Sequence, residues 1–206
     1  MKRIHILLLA ALLLFPAWNF ARTRVQASQI IDQINQNKAV SYSDAEIVGT
    51  VSATATGDGT LYVADGNINS GEGNNRVLRF DNAATKANGA DADVVLGQPD
   101  FTSTASALSQ NGMDSPRGVA LYGSTLYVSE RNNRRVLRFD NAATKANGAY
   151  ADSVLGQPNF TTNTASVSQT GMDGPGRITL DSTGRLYVSD GINADRVIIF
   201  NNASSK

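Results

Sequence analysis

The chain of 206 residues contains no cysteine, one histidine (His5) and one tryptophan (Trp18). Without cysteine, no disulfide can brace the fold. His5 and Trp18 both fall in an N-terminal stretch that reads as a removable leader, so the chain beyond it is expected to hold neither imidazole nor thiol. A Ser-His-Asp or Cys-His nucleophile cannot be assembled from such a chain. Nor can a zinc site with imidazole or thiolate ligands. An excess of one charge is lacking as well: 18 Lys and Arg balance 18 Asp and Glu.

The leader is MKRIHILLLAALLLFPAW, with Lys2 and Arg3 ahead of an apolar run to about Phe15 and a breaker at Pro16. Val25 and Ala27 supply small residues at the −3 and −1 positions of a cleavage site, with Ala17 and Ala21 as competing positions. The pattern is that of a secretory signal over residues 1–27. It predicts export to a periplasm, the extracellular space or the cell surface. The apolar run falls short of the ~20 residues that a membrane span needs, so an uncleaved anchor is the lesser reading and no span is expected after cleavage. Cleavage removes four basic residues and no acidic one, leaving 14 against 18 and a net charge of −4. That balance offers no global field for phosphate backbones, and nucleic acid is not an expected partner. In residues 28–42, Ile30, Ile31 and Ile34 stand at helical spacing behind Ser28, which could cap a short helix; a linker is the alternative.

The rest of the chain repeats itself. RVLRFDNAATKANGA occurs at Arg76–Ala90 and again, unchanged, at Arg135–Ala149. VVLGQPDF at Val94 returns as SVLGQPNF at Ser153, and LYVAD at Leu61 returns as LYVSE at Leu126 and LYVSD at Leu186. A unit that recurs at a fixed period buries its faces against copies of itself. In the middle unit, alternation and turn residues predict strands at Arg117–Gly123, Thr125–Glu130, Arg134–Asp140 and Ala151–Gln157, with a tight turn at Gly123-Ser124. Four antiparallel strands in each unit of roughly 60 residues describe a blade of an all-β propeller; a β-solenoid is the competing architecture. The units are expected at about 50–116, 117–175 and 176–206.

The third unit stops before its fourth strand. SDAEIVG (Ser43–Gly49) resembles ADADVVLG (Ala90–Gly97) and could close the last blade, which extends the repeat domain to 43–206. Propellers usually have 4–8 blades. Three units therefore imply a piece of a longer protein, a homodimer that completes a six-blade ring, or a small open assembly.

The segments LYVADGNINSGEGNNRVLRF, LYVSERNNRRVLRF and LYVSDGINADRVIIF resemble the NHL repeat, whose core runs from a strand ending V-A-D through an Asn-containing turn to R-[IV]-x-x-F. VLGQPDF and VLGQPNF resemble a bacterial, exported variety with long inter-blade loops. The resemblance covers Thr50 to the C-terminus. It implies a propeller, typically six-bladed, of a family that mostly binds proteins, peptides, glycans or RNA and includes a few lyases. Glu130 departs from the motif's Asp, and the first unit carries about six extra residues between Asp65 and Arg76.

Each candidate site has a structural alternative. Asp65, Asn67 and Asn69 place oxygens at alternate positions, as calcium loops do. An EF-hand needs Gly at the sixth position and Glu at the twelfth, where this chain has Ser70 and Arg76. A polar turn with Asx hydrogen bonds is the alternative, and Ca²⁺ is the only cofactor the sequence raises. The pairs Asp65 with Arg76, Glu130 with Arg135 and Asp190 with Arg196 could grip a polar ligand, or could brace hairpins. Arg131, Arg134, Arg135 and Arg138 could meet anionic glycans or peptide carboxylates, or form a solvated strand edge. Phe101 and Phe160, beside Pro99 and Pro158 and ahead of Met113 and Met172, could anchor a partner or pin their own loops. These residues predict a propeller that binds or scaffolds a protein, peptide or glycan without catalysis. The rivals are a calcium-dependent propeller hydrolase or lactonase using Asp65, Asp190 and Asn193, and a structural cell-surface repeat protein.

Overall fold

The structure is a computed structural model and describes residues 50–56, 59–66 and 73–205. The leader, the 28–42 segment, the strand expected at Ser43–Gly49, and the loop residues Asn67 and Asn69 lie outside the described residues.

Among the described residues, eleven strands form three antiparallel meanders in chain order. The first blade is β1 (Thr50–Ala55), β2 (Leu61–Asp65), β3 (Arg76–Phe80) and β4 (Val94–Leu96). The second is β5 (Pro116–Tyr122), β6 (Thr125–Glu130), β7 (Arg135–Phe139) and β8 (Ser153–Leu155). The third, among the described residues, is β9 (Pro175–Leu180), β10 (Leu186–Asp190) and β11 (Arg196–Phe200), with β11 at its outer edge.

In the first two blades the central strands are apolar on both faces because both are covered, whereas in the third blade Val197 and Ile199 stay exposed. In LYVAD, Leu61 and Val63 point to one side of the first blade, Tyr62 and Ala64 to the other. Tyr62, Ala64, Val77 and Leu96 pack on Leu126, Val128, Leu137 and Phe139 of the second blade. Tyr127, Val136 and Leu155 pack in turn on Leu186, Val188, Ile198 and Phe200 of the third. Each blade therefore offers a back face to the front face of the next. Burying one such side chain contributes about 1.5–3 kcal/mol, so these two layers are the main source of cohesion. The innermost strands also follow one another, β1 against β5 and β5 against β9, with no comparable packing of β1 on β9. The sheets thus fan around a common axis as an arc of all-β propeller blades.

Arginines reinforce the layers at the outer end of the third strands. Arg79 Nη1 donates to the carbonyls of Ala142 (3.2 Å) and Lys145 (3.0 Å) in the second blade. Arg138 Nη1 donates to those of Ala203 (3.3 Å) and Ser204 (2.7 Å) in the third. The matching residue of the third blade is Ile199, which is half exposed.

The strands differ from expectation at their ends. The first strand of the middle blade begins one residue earlier, at Pro116. Its third strand begins at Arg135 because Arg134 lies in the left-handed region (φ 51°), as do Asn75 and Asp195 before the equivalent arginines. The fourth strand is only Ser153–Leu155, ended by Gly156 at φ 90°. The hairpin turn at Gly123 (φ 59°) lies where Gly123-Ser124 predicts it.

Candidate functional site

The recurring acid and arginine stand opposite each other in register at the end of each central hairpin: Asp65 with Arg76, Glu130 with Arg135, Asp190 with Arg196. In the second blade both partners are fully buried, and Arg135 Nε donates to Glu130 Oε2 at 2.5 Å. The guanidinium then reaches loop carbonyls on both sides. It donates to Phe160 (2.5 Å) in the loop after the blade, and to Ser109 (2.8 Å) and Gly112 (3.0 Å) in the loop before it. Glu130 Oε1 accepts the Asp114 N–H (2.8 Å) and the Asn133 amide (2.7 Å). Burial pushes the Glu130 carboxyl up from its usual range; the Arg135 guanidinium and these two donors pull the other way.

The other blades build the same hub with local changes. Asp65 Oδ2 accepts from Arg76 Nε and Asn74 Nδ2, both at 2.9 Å, and Arg76 Nη1 donates to the Phe101 carbonyl. Asp190 Oδ1 accepts the N–H groups of Asp173 (2.9 Å) and Gly174 (2.8 Å), while Oδ2 faces Arg196 at 3.1 Å. Arg196 is a quarter exposed and turns to the carbonyls of Val167, Ser168 and Gly171. A fork of five N–H donors fits this task, since it can satisfy a carboxylate and several carbonyls at once.

The glutamine of the GQP segment completes the hub, and sequence reasoning missed it. Gln98 Nε2 donates to the carbonyls of Asn74 (3.1 Å), Asn75 (3.0 Å) and Ala105 (2.8 Å). Gln157 repeats this with Arg134 (3.0 Å) and Thr164 (2.9 Å). Its presence in both copies of VLGQP was the available signal.

The clustered arginines Arg131, Arg134, Arg135 and Arg138 do not converge on one point. Arg135 is inside the hub. Arg134 Nη1 donates to the Asn163 carbonyl at 3.2 Å, and its Nε lies 3.6 Å from Asp173. Arg138 pairs with Asp140 at 3.2 Å and clamps the third blade. Arg131 lies beside Arg117, whose guanidinium is held below its ordinary pKa by burial and by the Arg131 charge. Phe101 is half buried on the Leu61, Val63 and Phe80 cluster, and Phe160 on the layer between the first two blades. Met113 and Met172 are fully buried. Asn193 donates to Asp173 Oδ2 at 2.6 Å. Among the described residues no group of three or more His, Cys, Asp or Glu is placed to hold a metal ion, and no helix is long and apolar enough to cross a membrane.

A cleft of about 870 Å³ runs between the outer strands of the second and third blades. Leu155, Gln157, Thr164, Val197 and Ile199 are among its lining residues.

These features define a run of consecutive β-propeller blades whose hairpins are locked to their connecting loops by carboxylate–arginine hubs. No protein-family model and no curated protein matches the chain. Among solved structures, it is similar to the RRP9 WD40 repeats (12% identity, TM-score 0.46, covering 76% of this chain and 36% of that one). It is also similar to a chain of the nidogen/laminin complex (16%, 0.41, 73% and 47%). A third is a 6-phosphogluconolactonase-type protein from Bacteroides uniformis (17%, 0.43, 73% and 36%). The chain spans less than half the length of each.

Proposed function

We propose that this chain is an exported, NHL-like propeller segment that serves as a binding or scaffolding module for a protein, peptide or glycan. The observation that carries the reading is the use made of the hub carboxylates. The Glu130 and Asp190 oxygens accept from a guanidinium and from backbone or side-chain donors that close the preceding loop. A carboxylate so engaged is a brace, which leaves recognition to the loops the hubs hold in place. The NHL reading rests on the R-[IV]-x-x-F strands, and export rests on the leader pattern of residues 1–27.

The same observation weighs against the calcium-dependent lactonase. Asp65 and Asp190, two of its three suspects, are buried carboxylates that would have to exchange a guanidinium, buried at Arg76 and partly exposed at Arg196, for a cation.

Melting the chain in chelator and in millimolar calcium, alongside arrays of immobilised peptides and glycans, separates the two. A binding module shows saturable array binding and the same Tm in both buffers. A Tm raised by calcium, with lactone hydrolysis that chelator abolishes, overturns the proposal.

A further inference from the structure

The geometry points to the neighbouring guanidinium groups of Arg117 and Arg131, at the head of β5, as a receptor for the carboxylates of an acidic peptide segment. The inference deepens the binding-module reading and rests on it.

Three of the four clustered arginines of the second blade are taken. Arg135 is held by Glu130, Arg134 by Asn163 and Asp173, and Arg138 by Asp140 and the third blade. Arg131 is the exception: its guanidinium has no hydrogen-bond or ion-pair partner among the described residues. Its backbone N–H donates to the Ser115 carbonyl at 3.1 Å, which sets it opposite the residue before β5. Two residues on is Arg117, in the bulge of β5 between Pro116, opposite Glu130, and Gly118, opposite Ser129. Both arginines are half-buried. Burial first, and then the Arg131 charge, hold the Arg117 guanidinium below its ordinary pKa.

Like charges held together repel unless an opposite charge joins them. The acids at this end of the second blade are already engaged. Glu130 serves Arg135, Asn133 and the Asp114 N–H, while Asp114 Oδ1 accepts from the Asn132 amide at 2.9 Å.

The blade itself does not need the pair. The hub acid and its arginine recur in every blade, whereas the residue after the acid is Gly66, Arg131 and Gly191 in turn. The second residue of the innermost strand is likewise Val51, Arg117 and Gly176. Both arginines thus enter together, in one blade of a repeat that elsewhere copies RVLRFDNAATKANGA unchanged. A brace would recur with the structure it braces. The glycines at the matching places of the neighbouring blades, with Gly66 set against the Pro116 carbonyl, put backbone rather than side chains beside the pair.

Two guanidinium forks suit a carboxylate, which can accept from both. The aromatic side chains favour a polypeptide over a glycan as its carrier. Among the described residues the exposed tyrosines, the flat surfaces on which a sugar ring would stack, are Tyr122 and Tyr150. Both lie at the far end of the strands, Tyr122 in the turn opposite Thr125 and Tyr150 just ahead of Ser153.

The test is fluorescence anisotropy of a labelled peptide of glutamates flanked by glycines, titrated with the full chain at constant low salt. We expect saturable binding that the glutamine analogue lacks and that added salt weakens. Arg131→Gln and Arg117→Gln should each weaken it about tenfold, the effect of losing one hydrogen bond to a charged group. Arg185→Gln, at the far end of the third blade, should leave it unchanged. Arg131→Gln should keep or raise the Tm, because it removes a repulsion and no contact. No saturable binding, binding undiminished in both arginine variants, or tighter binding of a uronate oligosaccharide at the same residues overturns the proposal. So does a lower Tm for Arg131→Gln, which would make that arginine a brace. On the immobilised arrays, ligands retained equally by the parent and by Arg131→Gln sink this inference alone, whereas a parent that retains none sinks the binding-module reading as well.

Discussion

Arg135 and Glu130 face each other at 2.5 Å with neither side chain exposed to solvent, and through them one hairpin is tied to the loop before its blade and the loop after it. Removing the cation would strand a buried carboxylate, and removing the anion would strand the guanidinium. Arg135→Ala should therefore destabilise the chain by about 3–5 kcal/mol. Arg196→Ala, at the more exposed hub of the third blade, should cost less. Urea unfolding of the two variants gives the order directly.

The inter-blade clamps predict a local effect. Arg138→Met removes the donors to Ala203 and Ser204 and should cost about 1–2 kcal/mol. Amide exchange should quicken across β9 to β11 and stay unchanged in β2 and β3. Arg79→Met should show the complementary pattern, loosening the contact between the first and second blades.

Asp181 gives a dependence on pH. Its carboxylate accepts from Thr183 Oγ1 (2.6 Å), the Thr183 and Arg185 N–H groups, Arg185 Nε (2.7 Å) and the Tyr187 hydroxyl (3.0 Å). The Thr183 hydroxyl is the largest of the influences that hold its pKa well below the usual 3.8. A depressed carboxylate pKa contributes stability that is present above the unfolded value and lost as pH falls through the folded one. Asp181→Ala should melt below the parent at neutral pH, and the gap should close on acidification below 3.8. A gap that persists in acid would contradict the assignment.

Gly118 sits where two innermost strands approach. A Cβ there would lie 2.9 Å from Gly176 O, Ile178 N and Ser129 Oγ, two of them backbone atoms of the next blade. Gly118→Ala should force β5 and β9 apart and lower stability by about 1–3 kcal/mol, the range for overpacking. Gly123→Ala, whose Cβ would meet nothing within 4 Å, should cost only the strain of its positive φ.

Much of this architecture can be read from the repeat. The apolar run in LYVAD and LYVSE suits two covered faces, and the recurrence itself says what covers them; LYVSD buries only the face of Leu186 and Val188. The acid–arginine pairing is equally legible, because the two residues recur at the ends of one hairpin. The position of Arg134 was hidden, since a long side chain gives no sign of a left-handed backbone until the turn is seen. The Gln98 contacts were hidden for another reason: they join a loop to the carbonyls of a hairpin 23 or 24 residues away, and carbonyls leave no trace in the sequence. The same holds for the contacts of Arg79 and Arg138, which reach across to carbonyls of the next blade.

The claim that the recurring polar pairs are braces is tested most directly by a double-mutant cycle on Glu130→Gln and Arg135→Met, with unfolding free energies taken from urea titrations. The account predicts that the double variant is far less destabilised than the sum of the single ones, a coupling of about 2–3 kcal/mol. A coupling near zero, with each single change tolerated, would mean that the pair does not hold the blade together and that its charges are kept for something else.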